Sequence, residues 1–562
     1  MMVKMCRTVN CIKTLICILV AFSDVAQCQV PVIADKSVIT LSLKSFNVSD
    51  PNGESVENKY LIQPNSSCEI KVLSVPDDAY FVVLQAHSYF KDLTLSYGAN
   101  PTRETSVTGM NTGLVKIKTS PVLSFHLFYN SSPDNATVLI AVQAYGHNAP
   151  IPGGCNMEFQ VETSPFLKMT FSEAVTEVDF APAAPSLHFL SSVKATPDDL
   201  CNVKPNPLSY SMYRMYLPER NSSEELYFNS LSMMMTRGRI LRNGRNVPDK
   251  YGGSPMRHIF ASYPGTGSVF VVVAETEEGR SVYVPSFTYS CNVGDSDDCR
   301  VLTTTFSKLL CAAIFFLGLF ACFAAHRFFK IELVLLGFLS GTVLCYVAAL
   351  SLGSAAPLTL SVGVGVVCGV AFILTWCFSG APLFSLISAT SILGSTVAAC
   401  VFYKLVDVFD ALENDVNYWS VFGSIVLLGP ILMIPLSEKA NIIACSIVGA
   451  YASVLAIDYY VGSNLRYIVI NAIRRTTVPK FRHAIIDPPF QTKDIVLSIV
   501  WIILAIAGVT AQMLLMQGRP PYPAPINPIR KFIKRYKSTG TATERTPLLR
   551  SSVRISEIDL LQ

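Results

Sequence analysis

The chain has 562 residues, 51% of them hydrophobic and only 15% charged, with a formal net charge of +4. That is too apolar for an ordinary soluble protein, and no basic face with interleaved aromatics occurs in a folded region, so nucleic-acid binding finds no support. The excess is uneven: residues 30–300 have the polarity of a globular region, whereas 303–516 are dominated by long apolar runs.

Residues 1–28 have the form of a signal peptide. Lys4, Arg7 and Lys13 precede an apolar core, Leu15–Phe22, too short to span a bilayer, and small residues allow cleavage after Ser23 or after Cys28.

Two β-rich units are predicted next, 29–165 and 166–302. In the first, short alternating runs are separated by Pro, Asn, Gly and Asp. These are Val38–Phe46, Cys68–Ser74, Tyr80–Ala86, Leu93–Tyr97, Leu114–Thr119, Ser124–Tyr129, Thr137–Tyr145 and Cys155–Glu162. Period two with frequent turn signals predicts a β-sandwich. The second unit offers Leu167–Phe171, Val175–Phe180, Ser209–Tyr216, His258–Tyr263, Ser268–Ala274 and Ser281–Ser290, with one helix from Ser222 to about Met235.

Five Asn-x-Ser/Thr sequons, at Asn47, Asn65, Asn130, Asn135 and Asn221, all precede the first long apolar run. Confined to one side of it, they predict a glycosylated ectodomain facing the secretory lumen. Disulfides belong to that compartment. Cys291 and Cys299, eight residues apart, are the first candidate pair and Cys155 with Cys201 the second. Cys68 is left over: free, paired with Cys28, or bonded to another chain.

Seven apolar segments follow, at roughly 304–325, 332–351, 357–378, 382–402, 418–436, 440–461 and 495–516, each close to the length needed to cross the hydrocarbon core. Gly337-x-x-x-Gly341 and Gly363-x-Gly365-x-x-x-Gly369 offer small faces for helix contact. The reading is thus a multi-pass α-helical membrane protein of seven transmembrane helices over 303–516, with a β-sandwich-rich glycosylated ectodomain and a basic tail, 517–562. Seven crossings from an external start put the tail in the cytosol. Cytosolic parts then hold Arg327, Lys330, Lys439 and nine basic residues of the tail, against Lys404, Arg466, Arg474, Arg475, Lys480, Arg482 and Lys493 outside. The balance favours this orientation, but loop 462–494 is too basic for an external one. On a helix, Leu465, Ile468, Val469, Ala472 and Ile473 share one arc while Arg466, Asn471, Arg474 and Arg475 face away. The expectation is an amphipathic helix lying in the membrane interface.

Chemistry-bearing motifs are sparse. The third apolar helix ends Thr375-Trp376-Cys377-Phe378 and the seventh Thr510-Ala511-Gln512-Met513, without the triplet and Asn-Pro-x-x-Tyr of G-protein-coupled receptors. None of the seven histidines lies inside a predicted membrane helix, which argues against an intramembrane metallohydrolase. No nucleophile elbow, phosphate loop or dinucleotide fingerprint sits in a suitable context. Neither catalytic residues nor a cofactor are expected. Glu332 and Asp458 are intramembrane carboxylates near an interface. Asp458 is the candidate ion site if the bundle conducts.

The tail holds a polybasic stretch, Arg530–Lys537, suited to anionic lipid. Glu544-Arg545-Thr546-Pro547-Leu548-Leu549 has the spacing of the acidic dileucine signal read by clathrin adaptors, with Glu544 for a basic pocket and Leu548 and Leu549 for an apolar one.

Several long strings in order then resemble one family. They are Pro150-Ile-Pro-Gly-Gly-Cys-Asn-Met-Glu-Phe159, Tyr283-Val-Pro-Ser-Phe-Thr-Tyr-Ser-Cys291, His326-Arg-Phe-Phe-Lys-Ile-Glu332, Val454-Leu-Ala-Ile-Asp458, Pro489-Phe-Gln-Thr-Lys-Asp494 and Gly518-Arg-Pro520. The chain resembles the transmembrane 7 superfamily member 3 family, whose membrane domain is shared with the transmembrane protein 198 group. The resemblance implies a non-enzymatic, receptor-like or scaffold protein. It also implies a role in cell survival under stress, restraining the unfolded-protein response and cytokine-induced death. The expected location is the plasma membrane, with endosomal or lysosomal cycling. Expected partners are membrane lipid, an external protein through the ectodomain and clathrin adaptors through the tail. The alternative is a small-solute or ion transporter with an accessory ectodomain.

Overall fold

The computed structural model describes residues 32–33, 38–50, 52–130, 134–155, 167–186, 201, 208–248, 256–292, 299, 304–379, 383–405, 409–436 and 438–517. The expected signal peptide, the tail with Glu544, Leu548 and Leu549, and residues 156–162 of the expected Cys155–Glu162 strand lie outside them.

The first unit is a sandwich of two five-stranded sheets. One runs β1 (Val32–Ile33), β3 (Val56–Ile62), β10 (Ala136–Gly146), β5 (Ala79–Ser88), β8 (Asn111–Ile117). The other runs β2 (Val38–Ser42), β4 (Ser66–Leu73), β9 (Leu123–Tyr129), β6 (Leu93–Ser96), β7 (Ser106–Gly109). Their inner faces interlock through Val82, Leu84, Val138, Ile140 and Val142 against Ile70, Val72, Leu95, Phe125 and Leu127. The alternation in β9, buried at every second residue, is the half-solvated pattern its sequence predicts. In β5 nearly every residue is buried, because its outer face is covered by the second unit.

That second unit pairs β11 (Leu167–Phe171), β12 (Val175–Phe180) and β15 (Arg257–Ala261) in one sheet. The other holds β14 (Arg245–Val247), β13 (Ser209–Tyr216), β16 (Ser268–Glu275) and β17 (Arg280–Val282), with β18 (Ser286–Thr288) also on β16. Between β13 and β14 lie α1 (Glu224–Ser232), close to the expected helix, and α2 (Arg237–Asn243), which was not predicted. Tyr227, Phe228, Leu231 and Met235 of this insertion cover Leu139 and Ala141 of β10. The seam also carries Gln143, whose Nε2 donates to the Met235 carbonyl at 2.7 Å. The chain enters the second unit well before residue 165: Ile151 bridges Ala184, and a disulfide joins Cys155 to Cys201. A second disulfide joins Cys291 to Cys299. Cys68 is free and buried in the first sandwich.

Among the described residues seven helices are long and apolar enough to cross a membrane. They are α3 (Thr305–Ala324), α4 (Phe329–Ser351), α5 (Pro357–Ser379), α6 (Leu383–Leu405), α7 (Asp415–Met433), α8 (Glu438–Val461) and α10 (Thr492–Met516). The order and number match the apolar runs of the sequence. Helix α8 is the axis, packed by α3, α6 and α10, while α4 with α5 and α6 with α7 form pairs. Close approach of α4 to α5 depends on glycine. A Cβ on Gly337 would stand 2.7 Å from the Cys368 carbonyl, and one on Gly369 2.7 Å from that of Val334.

Between α8 and α10 runs the basic loop, containing α9 (Tyr467–Thr477). The helix forms as the hydrophobic periodicity requires, but its polar arc does not face water or headgroups. Asn471, Arg474 and Arg475 are buried: Arg474 meets the second β unit, while Arg475 turns to the bundle, toward Asp415 and the Glu413 carbonyl. Histidine placement also differs from expectation: His326 is buried in the turn between α3 and α4 and opens the second membrane-length span.

Candidate functional site

Among the described residues a dense polar arrangement joins the second β unit to the loop between α8 and α10. It begins at the end of α8. Gly462, with φ of +73°, turns the chain so that its N–H caps the Asp458 carbonyl at 2.8 Å. The Asp458 side chain, fully buried, accepts from the Ser463 amide at 2.8 Å and from the Ser463 hydroxyl. Eight residues after Asp458, Arg466 brings its Nη1 to 3.9 Å from that carboxylate and its Nη2 into an ion pair with Glu219 of the β unit. Burial pushes the Glu219 carboxyl above its usual range, and the Arg466 guanidinium opposes that rise. Asp458 is therefore one end of a carboxylate–guanidinium–carboxylate chain and not an isolated charge.

Around this chain β13, β14, the β11–β12 turn and the segments after β13 and β15 contribute contacts. Arg214 of β13 donates from Nη2 to the Asp487 carboxylate at 2.8 Å and to its backbone carbonyl at 3.0 Å. Arg245 reaches the other carboxylate oxygen at 2.6 Å, and the Tyr216 hydroxyl donates to the Asp487 carbonyl at 3.0 Å. Arg220 donates to the carbonyls of Tyr459 and Tyr460, at 2.7 and 2.9 Å, where the negative end of the α8 dipole lies. Arg474 donates to the carbonyls of Ser262 at 2.7 Å and Glu173 at 2.6 Å. The ring of Tyr263 meets Tyr467 edge-on, centroids 4.8 Å apart. Ile485 extends the β11–β12–β15 sheet: its amide donates to Ile259 at 2.8 Å and its carbonyl accepts from Ala261 at 3.1 Å.

The bundle side is equally organised. Arg475 pairs with Asp415 at 2.8 Å and donates to the Glu413 and Arg482 carbonyls at 2.5 and 2.6 Å. Asp494 opens α10 with a capping box and accepts from the Asn464 amide at 2.6 Å. The basic residues of this loop are thus largely consumed by protein acceptors.

At the opposite end of the bundle, Glu332 is buried against a neighbouring amide. Its Oε1 accepts from Asn441 Nδ2 at 2.5 Å and from the Cys445 thiol at 3.4 Å, and its Oε2 lies 3.9 Å from His326 Nδ1. Gln512 of α10 ties this cluster to α3 through the Cys322 carbonyl at 2.8 Å. Among the described residues no group of three or more His, Cys, Asp or Glu is placed to hold a metal.

The five sequon asparagines, Asn47, Asn65, Asn130, Asn135 and Asn221, are all exposed. They are scattered over both β units and do not converge. Glu219, Asp487, Asn464 and Asp494 were not singled out in the sequence. Their one local signal is a charge or amide beside a strand or helix end, which thousands of solvated residues share.

Three family models match in order. Residues 51–145 match "TM7SF3-like, N-terminal immunoglobulin-like domain", 150–294 match "TM7SF3-like, second immunoglobulin-like domain" and 311–513 match "TM7S3/TM198-like domain". The second match begins at 150, where the Ile151 bridge lies. The chain is similar to Transmembrane 7 superfamily member 3 of Rattus norvegicus, 30% identical over 463 residues, covering 80% of this chain and 81% of the relative. The Homo sapiens protein of that name is 27% identical over 461 residues, covering 80% of each. A solved glycoside hydrolase domain, Endo-D from Streptococcus pneumoniae R6, aligns with 42% of this chain and 33% of its own at TM-score 0.12 and 9% identity, too weak to bear on fold or chemistry.

Proposed function

This chain belongs to the transmembrane 7 superfamily member 3 family, and from that premise we propose that it is a non-enzymatic, receptor-like or scaffold protein of the plasma membrane. The immunoglobulin-like pair faces outward, carries glycans on the five sequons and binds a protein partner. The tail faces the cytosol, and its dileucine motif engages clathrin adaptors for endosomal cycling. In the cell it restrains the unfolded-protein response and supports survival under stress.

One observation carries the receptor-like part: the Glu219–Arg466–Asp458 chain is buried across the joint. An ectodomain that merely decorates a bundle needs only a flexible stalk, whereas burying charges between two units fixes their relative position. Force or ordering delivered to the immunoglobulin-like pair then reaches α8 and α10 through packed side chains.

The test uses cells lacking the protein, stressed by blocking N-glycosylation, with an unfolded-protein-response reporter and viability as readouts. Full-length protein is expected to lower the reporter. Glu219→Arg, delivered to the same surface level, is expected to lose that effect. If the full chain has no effect the stress role fails, and if Glu219→Arg acts like wild type the coupling role fails.

A second reading, a small-solute or ion transporter, is favoured by Glu332, a carboxylate held inside the bundle. Flux through the reconstituted full chain, reduced by Glu332→Gln or Asp458→Asn, would support it.

A further inference from the structure

A cleft of about 570 Å³ lies between the two immunoglobulin-like units. The β2–β3 loop and the end of β10 with residues 147–149 line it from the first unit, the start of α2 and the β16–β17 turn from the second. Asn47, Val48 and Ser49, one of the five sequons, all line it. The other sequons of the first unit lie away from it. Asn65, Asn130 and Asn135 sit where Ile62 pairs with Ala136, whereas the cleft lies beyond Val56 and its partner Val142, at the other end of the same strands.

Asn47 is presented for modification. Its Oδ1 accepts from the Ser49 amide at 3.0 Å, and its Nδ2, the atom that carries an asparagine-linked glycan, has no partner among the described residues. The lining around it suits a neutral sugar. Asp50 and Glu54 offer acceptors, while Arg237, Arg280 and the Thr236 hydroxyl offer donors. Both arginines already share Glu275, each at 3.3 Å, so little positive charge is left to select an anion. Thr236 is 3% exposed, yet its hydroxyl caps no amide of α2, which leaves it for a ligand. Phe46 and Val48 supply apolar surface for the C–H face of a sugar ring.

We infer that the cleft holds the innermost sugars of the glycan on Asn47. Its volume falls within the roughly 300–1,000 Å³ of small-molecule pockets, room for the first sugars but not for the branches, which stay in solvent. Tethering makes the association intramolecular, so individually weak contacts suffice to keep the cleft filled. The sugars then bridge the two units and fix the angle between them. The inference rests on the reading above that the sequons are glycosylated.

The test uses the full chain from a glycosylating animal cell, purified in maltoside detergent. Digestion of the native protein with a peptide N-glycosidase, which cuts at the innermost sugar, is followed by site-resolved mass spectrometry, and digestion after denaturation gives the occupancy of each site. Release from Asn47 is expected to be at least about tenfold slower than from Asn65, because cleavage must wait for the sugars to leave the cleft. Ser49→Ala, which leaves Asn47 unglycosylated, is expected to raise hydrogen exchange at least about threefold across residues 276–280, far away in sequence but on the facing wall. Equal release from an occupied Asn47 overturns the inference while the glycosylation reading stands, and leaves the cleft to an external ligand. An unoccupied Asn47 overturns both at that site. Slow release with unchanged exchange at 276–280 also overturns it, because the turn at Asn47 and not the cleft would then be the shield.

Discussion

Arg466 and Glu219 lie 247 residues apart in the chain and form an ion pair in which 15% of the arginine side chain and 1% of the glutamate remain exposed. Asp458 completes the chain at 3.9 Å. One cation thus holds two buried carboxylates, so removing the cation leaves more uncompensated charge than removing either anion. Arg466→Gln is expected to destabilise the full chain by about 3–5 kcal/mol, and Glu219→Gln by less. Thermal unfolding in detergent gives both values. In a double-mutant cycle the two are expected to couple by at least about 1 kcal/mol. Additive losses would mean that the pair contributes nothing.

Glycines of the α4–α5 pair separate into packing and spectator positions. A Cβ on Gly369 runs into backbone of α4, whereas one on Gly363 meets nothing within 4 Å. Gly369→Val is therefore expected to cost about 1–3 kcal/mol by forcing the helices apart. Gly363→Val is expected to be silent. Disulfide trapping between cysteines placed on α4 and α5 reads the separation directly, and equal trapping in both variants would contradict this assignment.

The same distinction marks what was legible in the sequence. Leu167–Phe171, Val175–Phe180 and Ser209–Tyr216 fall where alternation put them, because each pattern is imposed by a neighbouring strand within its own unit. Val56–Ile62 escaped, since Glu57, Asn58 and Lys59 interrupt its period and only Ile62 is fully buried. The seven membrane helices were legible because lipid imposes one requirement on every residue facing it. Arg474 and Arg475 were legible as one face of a helix but not as a docking surface. Their acceptors, Ser262, Glu173 and Glu413, lie dozens to hundreds of residues away, and no local periodicity encodes a partner at that distance.

The two disulfides close loops of unequal length, with separations of 46 residues for Cys155–Cys201 and 8 for Cys291–Cys299. Chain entropy alone then makes the longer one worth about 4 kcal/mol and the shorter about 2.5 kcal/mol. Cys155→Ser with Cys201→Ser is expected to lower the denaturation midpoint more than the matching change at Cys291 and Cys299. The reverse order would point to a role for Cys291–Cys299 in holding the second unit against the first helix.

His87 makes the first sandwich sensitive to acid. The ring is buried in β5, with Nδ1 3.0 Å from Asn111 Oδ1 and Nε2 3.2 Å from Gln85 Oε1. Burial lowers its pKa from 6.5 to about 4, with the Asn111 contact pulling the other way. A depressed histidine means that the unfolded chain takes up the proton first. Its contribution is fully present above pH 6.5 and is lost as pH falls toward 4, about 3 kcal/mol over that interval. Glu219 runs in the opposite sense, because its raised pKa makes its contribution present in acid and lost as pH rises through the folded value. Hydrogen exchange resolved by segment separates the two. Between pH 7 and 4, β5 and β10 are expected to lose protection while the Glu219 segment does not. His87→Gln, which cannot take up a proton, is expected to flatten the response of β5. A pH dependence of β5 unchanged by that substitution would place the acid-sensitive group elsewhere.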